Sequence, residues 1–130
     1  MTRGLLDTSV FVARESRGLD AGSLPDELAV SIVTYAELRA GVLAASDVTT
    51  RSRRLTTLQA VTGLNPLPID TRVADRWAQL RLLLAHTGRR VNVNDTWIAA
   101  TALAHGVAVV TQDTDFDPLA ELSGLQVIRV

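Results

Sequence analysis

Four acidic residues that lie far apart in the chain each stand at the edge of an apolar segment: Asp7, Glu37, Asp95 and Asp113. A carboxylate at the edge of a core costs free energy unless an opposite charge compensates it. If the fold brings the four together, their oxygens favour a hard divalent cation such as Mg²⁺ or Mn²⁺. Such a cation lowers the pKa of water and so prepares it to attack a phosphate ester. The acids therefore indicate metal-assisted phosphoryl transfer to water.

Each acid also has a simpler interpretation. Asp7 and Asp95 are of the residue type that commonly caps helix N-termini. Glu37 can form an ordinary ion pair with a nearby arginine. Asp113 stands in an acidic segment, 111–118, that is also typical of a turn without chemistry. These interpretations suffice for the acids one at a time, and only the convergence of all four at one edge of the fold requires a metal site.

The elements that must position these acids follow from the hydrophobic pattern. Short apolar runs predict four strands, at 4–6, 28–30, 107–110 and 126–129. Periodic segments predict a first helix with Asp7, Thr8 or Ser9 as its N-cap, and further helices at about 34–45, 48–63, 71–87 and 95–105. The segment 17–26 is rich in Gly, Ser, Asp and Pro and predicts a loop.

Capping residues set the expected helix ends. Thr34 is the predicted N-cap of the second helix, Asp70 or Thr71 that of the fourth, and Asn94 that of the fifth. Glycines at 88 and 106 are expected to end the last two of these helices. The pattern at 34–45 predicts a core-facing stripe made of Ala36, Ala40 and Leu43.

Strands that alternate with helices predict an α/β fold in which a central, mostly parallel sheet is covered on both faces, a three-layer α/β/α sandwich. Sites in such sheets form at the carboxyl ends of the strands. Asp7 follows the first strand and Asp113 follows the 107–110 strand, so both are expected at that edge. Glu37 and Asp95 lie in first helical turns, whose partial positive charge tolerates carboxylates.

Composition narrows the class of protein. The chain has 130 residues, enough for a single domain over 1–130, and its core must be aliphatic because 47% of residues are hydrophobic and only 4% aromatic. There is no cysteine, and the 13 basic residues are all arginine, which excludes thiol and lysine nucleophiles. No apolar run approaches the ~20 residues of a membrane span, and no signal peptide is visible, so a cytoplasmic protein is expected.

Residues outside the acidic set have more modest expected roles. His86 and His105 lie near helix C-termini, and Trp77 and Trp97 fall within patterned helices, so all four are interpreted as structural. Two groups of arginines are able to hold phosphates, although solvated surface positions explain them equally well: Arg51, Arg53 and Arg54, and Arg89 and Arg90.

Four motifs occur in an order that resembles a known family: Leu5-Leu6-Asp7-Thr8-Ser9, then Thr34-Tyr35-Ala36-Glu37-Leu38 with Gly41, then 94–102, which begins Asn-Asp-Thr-Trp, and Thr111-Gln112-Asp113-Thr114-Asp115-Phe116. The chain resembles PIN-domain ribonucleases, and among them the VapC-type toxins of bacterial type II toxin–antitoxin pairs. One such motif is weak by itself, whereas four in order are specific.

The resemblance implies an endoribonuclease that depends on Mg²⁺, with Mn²⁺ as a substitute. Asp7 and Asp95 would be the most direct metal ligands, and Glu37 and Asp113 would complete the set. Thr8 and Asp115 would lie beside them as polar neighbours in the second shell. One departure is Gln112, where the family frequently has a basic residue.

The resemblance also implies partners. The expected substrate is RNA, and the expected protein partner is a VapB-type antitoxin whose C-terminal segment lies near the active site. A homodimer, and a higher assembly with the antitoxin, are expected as well. Two alternatives remain open: a DNA nuclease of the same fold, and a non-catalytic PIN-like module that binds nucleic acid.

Overall fold

The computed structural model describes residues 3–16, 18 and 21–130, with only the backbone of residue 21. Its sheet has four strands in the order β2-β1-β3-β4, and all three strand pairs are parallel. The strands are β1 Arg3–Leu6, β2 Glu27–Val30, β3 Ala108–Thr111 and β4 Val127–Arg129. Each of the four predicted strands is present, and no end differs from its prediction by more than one residue.

Within the described residues, six α-helices accompany the sheet: α1 Thr8–Ser16, α2 Ile32–Ala44, α3 Val48–Gly63, α4 Thr71–Thr87, α5 Val93–His105 and α6 Asp117–Ser123. The predicted bounds of α3 are confirmed. A 3-10 turn at Ala21–Ser23 lies in the predicted loop, of which residues 17, 19 and 20 fall outside the described residues. Within the described ranges, no helix combines the length and the apolarity that a membrane crossing requires.

Alternate residues of the strands point to opposite faces of the sheet and pack in two separate hydrophobic cores. Leu5 and Val109 are opposite each other in register and pack with buried side chains of α4, α5 and α6. Leu6 and Val110 point to the other face and pack with buried side chains of α1, α2 and α3. Strands that are buried on both faces explain the continuous apolar runs in the sequence. The predicted three-layer α/β/α architecture is confirmed.

Two predicted caps are wrong by two or three residues. The N-cap of α2 is Ser31, whose Oγ accepts a hydrogen bond from the Val33 amide at 3.0 Å. The N-cap of α5 is Asn92, whose Oδ1 accepts from the Asn94 amide at 2.8 Å. In both places two capping residue types lie close together, so the local pattern does not decide between them. The Asp70 cap of α4 is confirmed.

The predicted core stripe of α2 is also wrong. The helix buries Thr34, Leu38 and Val42, whereas Leu43 is 70% exposed. Nearly all of α2 is apolar, so several stripes of helical spacing exist in its sequence. Tertiary packing selects the stripe that contacts α3 and the sheet, a choice that periodicity alone does not make.

Helix α6 is absent from the elements that the sequence predicts, and its first two residues belong to the segment 111–118, which is also typical of a turn. Pro118 lies in the first turn of α6, where a missing N–H costs nothing. Gly124 ends the helix in the left-handed conformation at φ 75°. Together these two residues are the sequence signal for a short helix.

The chain changes direction at the centre of the sheet. From β1 it proceeds through α1 to β2 on one side, and from β3 it proceeds through α6 to β4 on the other side. The adjacent strands β1 and β3 therefore form a topological switch point, where a crevice opens at the carboxyl ends of the strands. Asp7 stands in this crevice, and its amide donates to the Val110 carbonyl at 2.9 Å.

The close approach of β1 and β3 depends on Gly4. A Cβ atom at this position would lie 2.5 Å from Val110 Cγ2 and 2.9 Å from Pro25 Cγ. We expect Gly4→Ala to lower the free energy of unfolding by about 1–3 kcal/mol, because the strand must shift to relieve the overlap. Urea denaturation measures the change.

Gly63→Ala is the matched control for this substitution. Gly63 is the last residue of α3, and a Cβ there meets nothing within 4 Å. This variant is expected to be neutral or more stable by up to about 1 kcal/mol. Equal effects of the two substitutions would contradict the packing argument.

Candidate active site

Asp7 is a buried acid at the end of β1, only 4% exposed. Its Oδ2 accepts hydrogen bonds from Ser9 Oγ at 2.8 Å and from Thr111 Oγ1 at 3.0 Å. Burial raises the pKa of Asp7, and the Ser9 and Thr111 hydroxyls and the Thr8 amide counteract part of that rise. The fold therefore holds a carboxylate in a fixed orientation at the switch point.

Asp113 follows β3 and is linked to Asp7 through Thr111. The Thr111 hydroxyl lies 3.3 Å from Asp113 Oδ1 and has one proton to share between the two acids. Asp113 Oδ1 also accepts the amide of Asp115 at 3.1 Å. The negative charge of Asp113 further raises the pKa of Asp7. These contacts place Asp7 and Asp113 at the same edge of the sheet, as predicted.

Glu37 reaches the same edge from α2. Thr8 Oγ1 lies 2.8 Å from Glu37 Oε1 and 3.1 Å from Thr34 Oγ1. Thr8 is the first residue of α1 and directly follows Asp7. The predicted cap Thr34 is therefore a buried member of the hydrogen-bond network around Glu37.

Asp95 comes from the opposite layer, in the first turn of α5. Its pKa is raised to about 7, first by burial and then by the negative charges of four other acids: Asp7, Asp115, Glu37 and Asp113. That these charges act on Asp95 shows that helices from both layers bring their acids into one electrostatic neighbourhood. No hydrogen bond from the described residues to the Asp95 carboxylate offsets this repulsion.

The five carboxylates have no cationic partner among the described residues. Four ion pairs occur there, all on the surface: Arg3–Glu27, Arg72–Asp70, Arg89–Glu121 and Arg129–Asp117. Arg129 lies beside the site, where its Nε donates at 3.1 Å to the backbone carbonyl of Asp113 and not to a carboxylate of the set. The ion-pair interpretation of Glu37 therefore finds no support.

The acids do not form a closed coordination shell. In the part of the chain that the structure describes, no three Asp, Glu or His side chains are close enough together to hold a metal ion jointly. Like charges repel one another when no cation lies between them, which favours a wider spacing. The roles of Asp7, Glu37, Asp95 and Asp113 as metal ligands, and of Thr8 and Asp115 beside them, stay predictions.

Ser9 and Thr111 were missed as members of the site. Both orient Asp7, and the Ser9 hydroxyl also accepts the amide of Gln112 at 3.1 Å. Ser9 lies two residues after Asp7, and Thr111 is the last residue of β3. A hydroxyl residue at the carboxyl end of a buried strand is the sequence signal that identifies such a role.

Two arginines of the first group, Arg51 and Arg54, have backbone partners. Arg51 donates to the carbonyl of Ala45 at 2.9 Å, and Arg54 donates to the carbonyl of Gly41 at 2.7 Å. They bind carbonyl groups at and near the end of α2, the position where a cationic side chain is favourable. Arg51 and Arg54 therefore contact the end of α2, a role that neither phosphate binding nor a solvated surface position describes.

Trp77 and Trp97 stack on each other, with ring centroids 4.6 Å apart and planes 11° from parallel. Both rings pack against the core cluster on the α4 and α5 side of the sheet. Their interpretation as packing residues is confirmed.

Comparisons with known proteins agree with this geometry. The PIN domain family matches residues 4–122. The chain is 50% identical to Ribonuclease VapC5 of Mycobacterium tuberculosis, over 98% of this chain and 95% of that protein. It is 44% identical to Ribonuclease VapC4 of the same species, over 98% and 97% of the two chains.

A solved structure is also similar to this chain in both fold and sequence. A chain in the crystal structure of VapBC-5, a member of the VapBC family of toxin-antitoxin systems from Mycobacterium tuberculosis, matches with a TM-score of 0.90 and 47% identity over 100% of both chains. The fold and the acidic crevice thus define a PIN domain protein, and this chain belongs to that family. Within it, the chain is a member of the VapC ribonucleases.

The raised pKa of Asp95 has a consequence for stability. The group has a pKa of about 7 in the folded protein and about 3.8 when unfolded, so the folded state binds more protons between these values. We therefore expect Asp95 to contribute a decrease in the free energy of unfolding of the metal-free protein as the pH rises from about 4 to about 7, where this contribution levels off. Denaturation in the presence of a chelator measures it.

Asp95→Asn is expected to reduce this decrease in the free energy of unfolding between pH about 4 and about 7, because the uncharged amide is not repelled by the neighbouring carboxylates. Asp75→Asn, at an exposed position of α4, is the matched control and should keep the fall unchanged. If the free energy of unfolding depends on pH in the same way in both variants, burial and the neighbouring charges do not raise the pKa of Asp95.

Proposed function

We propose that this chain is the toxin of a type II toxin–antitoxin pair, a Mg²⁺-dependent endoribonuclease that hydrolyses RNA phosphodiester bonds. The observation that carries the proposal is a set of five carboxylates at the switch point of the sheet with no arginine partner among the described residues. Membership of the VapC ribonucleases supports RNA as the substrate class. The described Ser and His residues form no hydrogen-bonded pair that would suggest a nucleophile of another kind.

The donor set fits a hard divalent cation. Every candidate ligand is a carboxylate or a hydroxyl oxygen, which suits Mg²⁺ and, as a substitute, Mn²⁺. Asp7 and Asp95 would bind most directly, and Glu37 and Asp113 would complete the set. When bound, the cation would neutralise the acids, polarise a phosphate oxygen and lower the pKa of water.

The chain's own residues prepare this site before any ligand arrives. Ser9 and Thr111 hold the Asp7 carboxylate, and Thr8 holds Glu37. Groups that are already oriented need little reorganisation during the reaction. In the proposed hydrolysis, a water oxygen bonds to phosphorus, the bond from phosphorus to the leaving ribose oxygen breaks, and that oxygen takes up a proton.

A VapB-type antitoxin is the proposed protein partner. The similar structure, at 47% identity, is that of a VapBC toxin–antitoxin system. A basic side chain of the antitoxin would supply the positive charge that the five carboxylates lack within the described chain. We further propose a single PIN domain over residues 1–130, a cytoplasmic location and a homodimer that forms a larger assembly with the antitoxin.

The assignment of the acids predicts a loss of activity without a loss of fold. Asp7→Asn and Asp95→Asn should each lower Mg²⁺-dependent cleavage of total cellular RNA by more than the ~10–100-fold that loss of an outer-shell partner costs. Both variants should remain folded, because each removes a repelled charge. Cleavage is followed by electrophoresis and folding by circular dichroism.

Asp75→Asn again serves as the control and should cleave as the unsubstituted protein does. Retained cleavage in both the Asp7 and the Asp95 variants would refute the assignment. Mapping the cleaved ends in the same RNA would identify the target.

The partner proposal predicts a neutralised toxin. Expression of the chain alone should arrest growth of a bacterial host, and co-expression with the adjacent small reading frame should restore growth and give a complex that purifies as one species. The Asp95→Asn variant should be harmless while it still binds the partner. A chain that is harmless when expressed alone, with cleavage intact in vitro, would count against the toxin assignment.

A further inference from the structure

A cavity of about 310 Å³ lies where the end of α4 meets the start of α5. Its lining includes three arginines, an indole ring, an aliphatic side chain and a threonine: Arg81, Arg89, Arg90, Trp77, Val91 and Thr96. This volume is at the lower end of the ~300–1,000 Å³ typical of small-molecule sites. The residues proposed for metal binding and hydrolysis do not line this cavity.

The cavity adjoins the acidic site. A second cavity of about 350 Å³ contains Asp95 and Asp115 in its lining, and it shares Arg90 and Val91 with the first. The two cavities therefore adjoin at Arg90 and Val91, and one has acidic residues in its lining while the other has basic ones.

Two of the three arginines are available to a ligand. Among the described residues, neither Arg81 nor Arg90 has an ion pair or a side-chain hydrogen bond, and both are exposed. Arg89 pairs with Glu121 at 2.6 Å, an exposed contact that water weakens. The guanidinium of Arg81 lies 5.5 Å from the centroid of the Trp77 ring, which is itself held by the stack with Trp97.

This arrangement suits a nucleotide. Arginine binds phosphate through two parallel hydrogen bonds, and a guanidinium plane that rests on an aromatic ring is a surface on which a nucleobase stacks. Arg90 lies between the two cavities, where a phosphate of a strand bound at the carboxylates would pass. Arg81 lines the first cavity beside the Trp77 indole, which stacks on Trp97.

We infer that this cavity is an RNA subsite that holds a nucleotide flanking the scissile phosphate, with Arg90 on the backbone phosphate and Arg81 against the base. The inference rests on the proposed function and extends it to the positioning of the substrate. A basic antitoxin segment is a poorer occupant, because the arginines that line the cavity would repel it.

The test is steady-state cleavage of a short single-stranded RNA pool of random sequence, labelled with a fluorophore and a quencher, by the full chain with Mg²⁺. Arg81→Ala and Arg90→Ala should each raise KM by about ten- to a hundred-fold, the loss expected for a hydrogen bond or stack to a charged group, with a smaller change in kcat. Arg76→Ala is the matched control, since Arg76 is exposed on α4 but lies outside the cavity. Its KM should equal that of the unsubstituted protein.

The salt dependence of KM distinguishes phosphate binding by Arg90 from base stacking by Arg81. The slope of log(1/KM) against log salt should become shallower by about 0.7 in Arg90→Ala, the value for one lost phosphate contact on a single strand. In Arg81→Ala the slope should change less, because a stacked base carries no charge.

Two outcomes are decisive against the inference, and a third is decisive against the proposed function on which it rests. KM values for Arg81→Ala and Arg90→Ala that match the Arg76→Ala control would overturn the subsite and leave the nuclease intact. A change in oligomeric state or in antitoxin binding, with KM unaffected, would assign the cavity to a protein partner instead. An unsubstituted protein that cleaves neither the pool nor total cellular RNA with Mg²⁺ or Mn²⁺ would instead refute the proposed function itself.

Discussion

The carboxylate of Asp7 is the constraint around which the rest of this structure is arranged. It is almost completely buried at the point where β1 ends, yet no arginine among the described residues neutralises it. Two hydroxyl groups and one amide partly compensate the cost of its burial. A charge held in this way is unfavourable in the isolated chain and becomes favourable when a cation binds. The buried carboxylate thus lowers the stability of the free protein and raises its affinity for a cationic ligand, as is common at functional sites.

The acidic neighbourhood draws on both helical layers. Glu37 belongs to α2, which packs in the core under Leu6 and Val110, whereas Asp95 belongs to α5, which packs in the core under Leu5 and Val109. The relative position of these two acids therefore depends on both cores and on the direct contact between α2 and α5. A packing change in either core moves one carboxylate relative to the other, so core residues distant from the crevice bear on its chemistry.

The sequence predicts which edge of the sheet carries the acids better than it predicts the helix caps and buried faces around them. Apolar runs identify the strands, and a parallel sheet places Asp7 and Asp113 at one edge by topology alone. The caps of α2 and α5 were misplaced, since Ser31 and Asn92 compete with nearby residues of equal capping power. The buried face of α2 was misplaced because an almost entirely apolar helix has no unique stripe. The distances between the acids depend on how two layers pack, and no local pattern contains that information.

The edges of the sheet have a consequence for the behaviour of the folded chain at high concentration. Both outer strands are short, and an unpaired strand edge is a template on which other molecules add to form intermolecular β-sheet. Beyond the end of β2, Ser31 forms an isolated parallel bridge with Leu67, which is flanked by Pro66 and Pro68. Prolines have no amide hydrogen to offer a further strand. At the other edge, β4 is only three residues long and ends at Arg129, whose charge opposes apolar strand addition. These features protect the fold against self-association through its backbone.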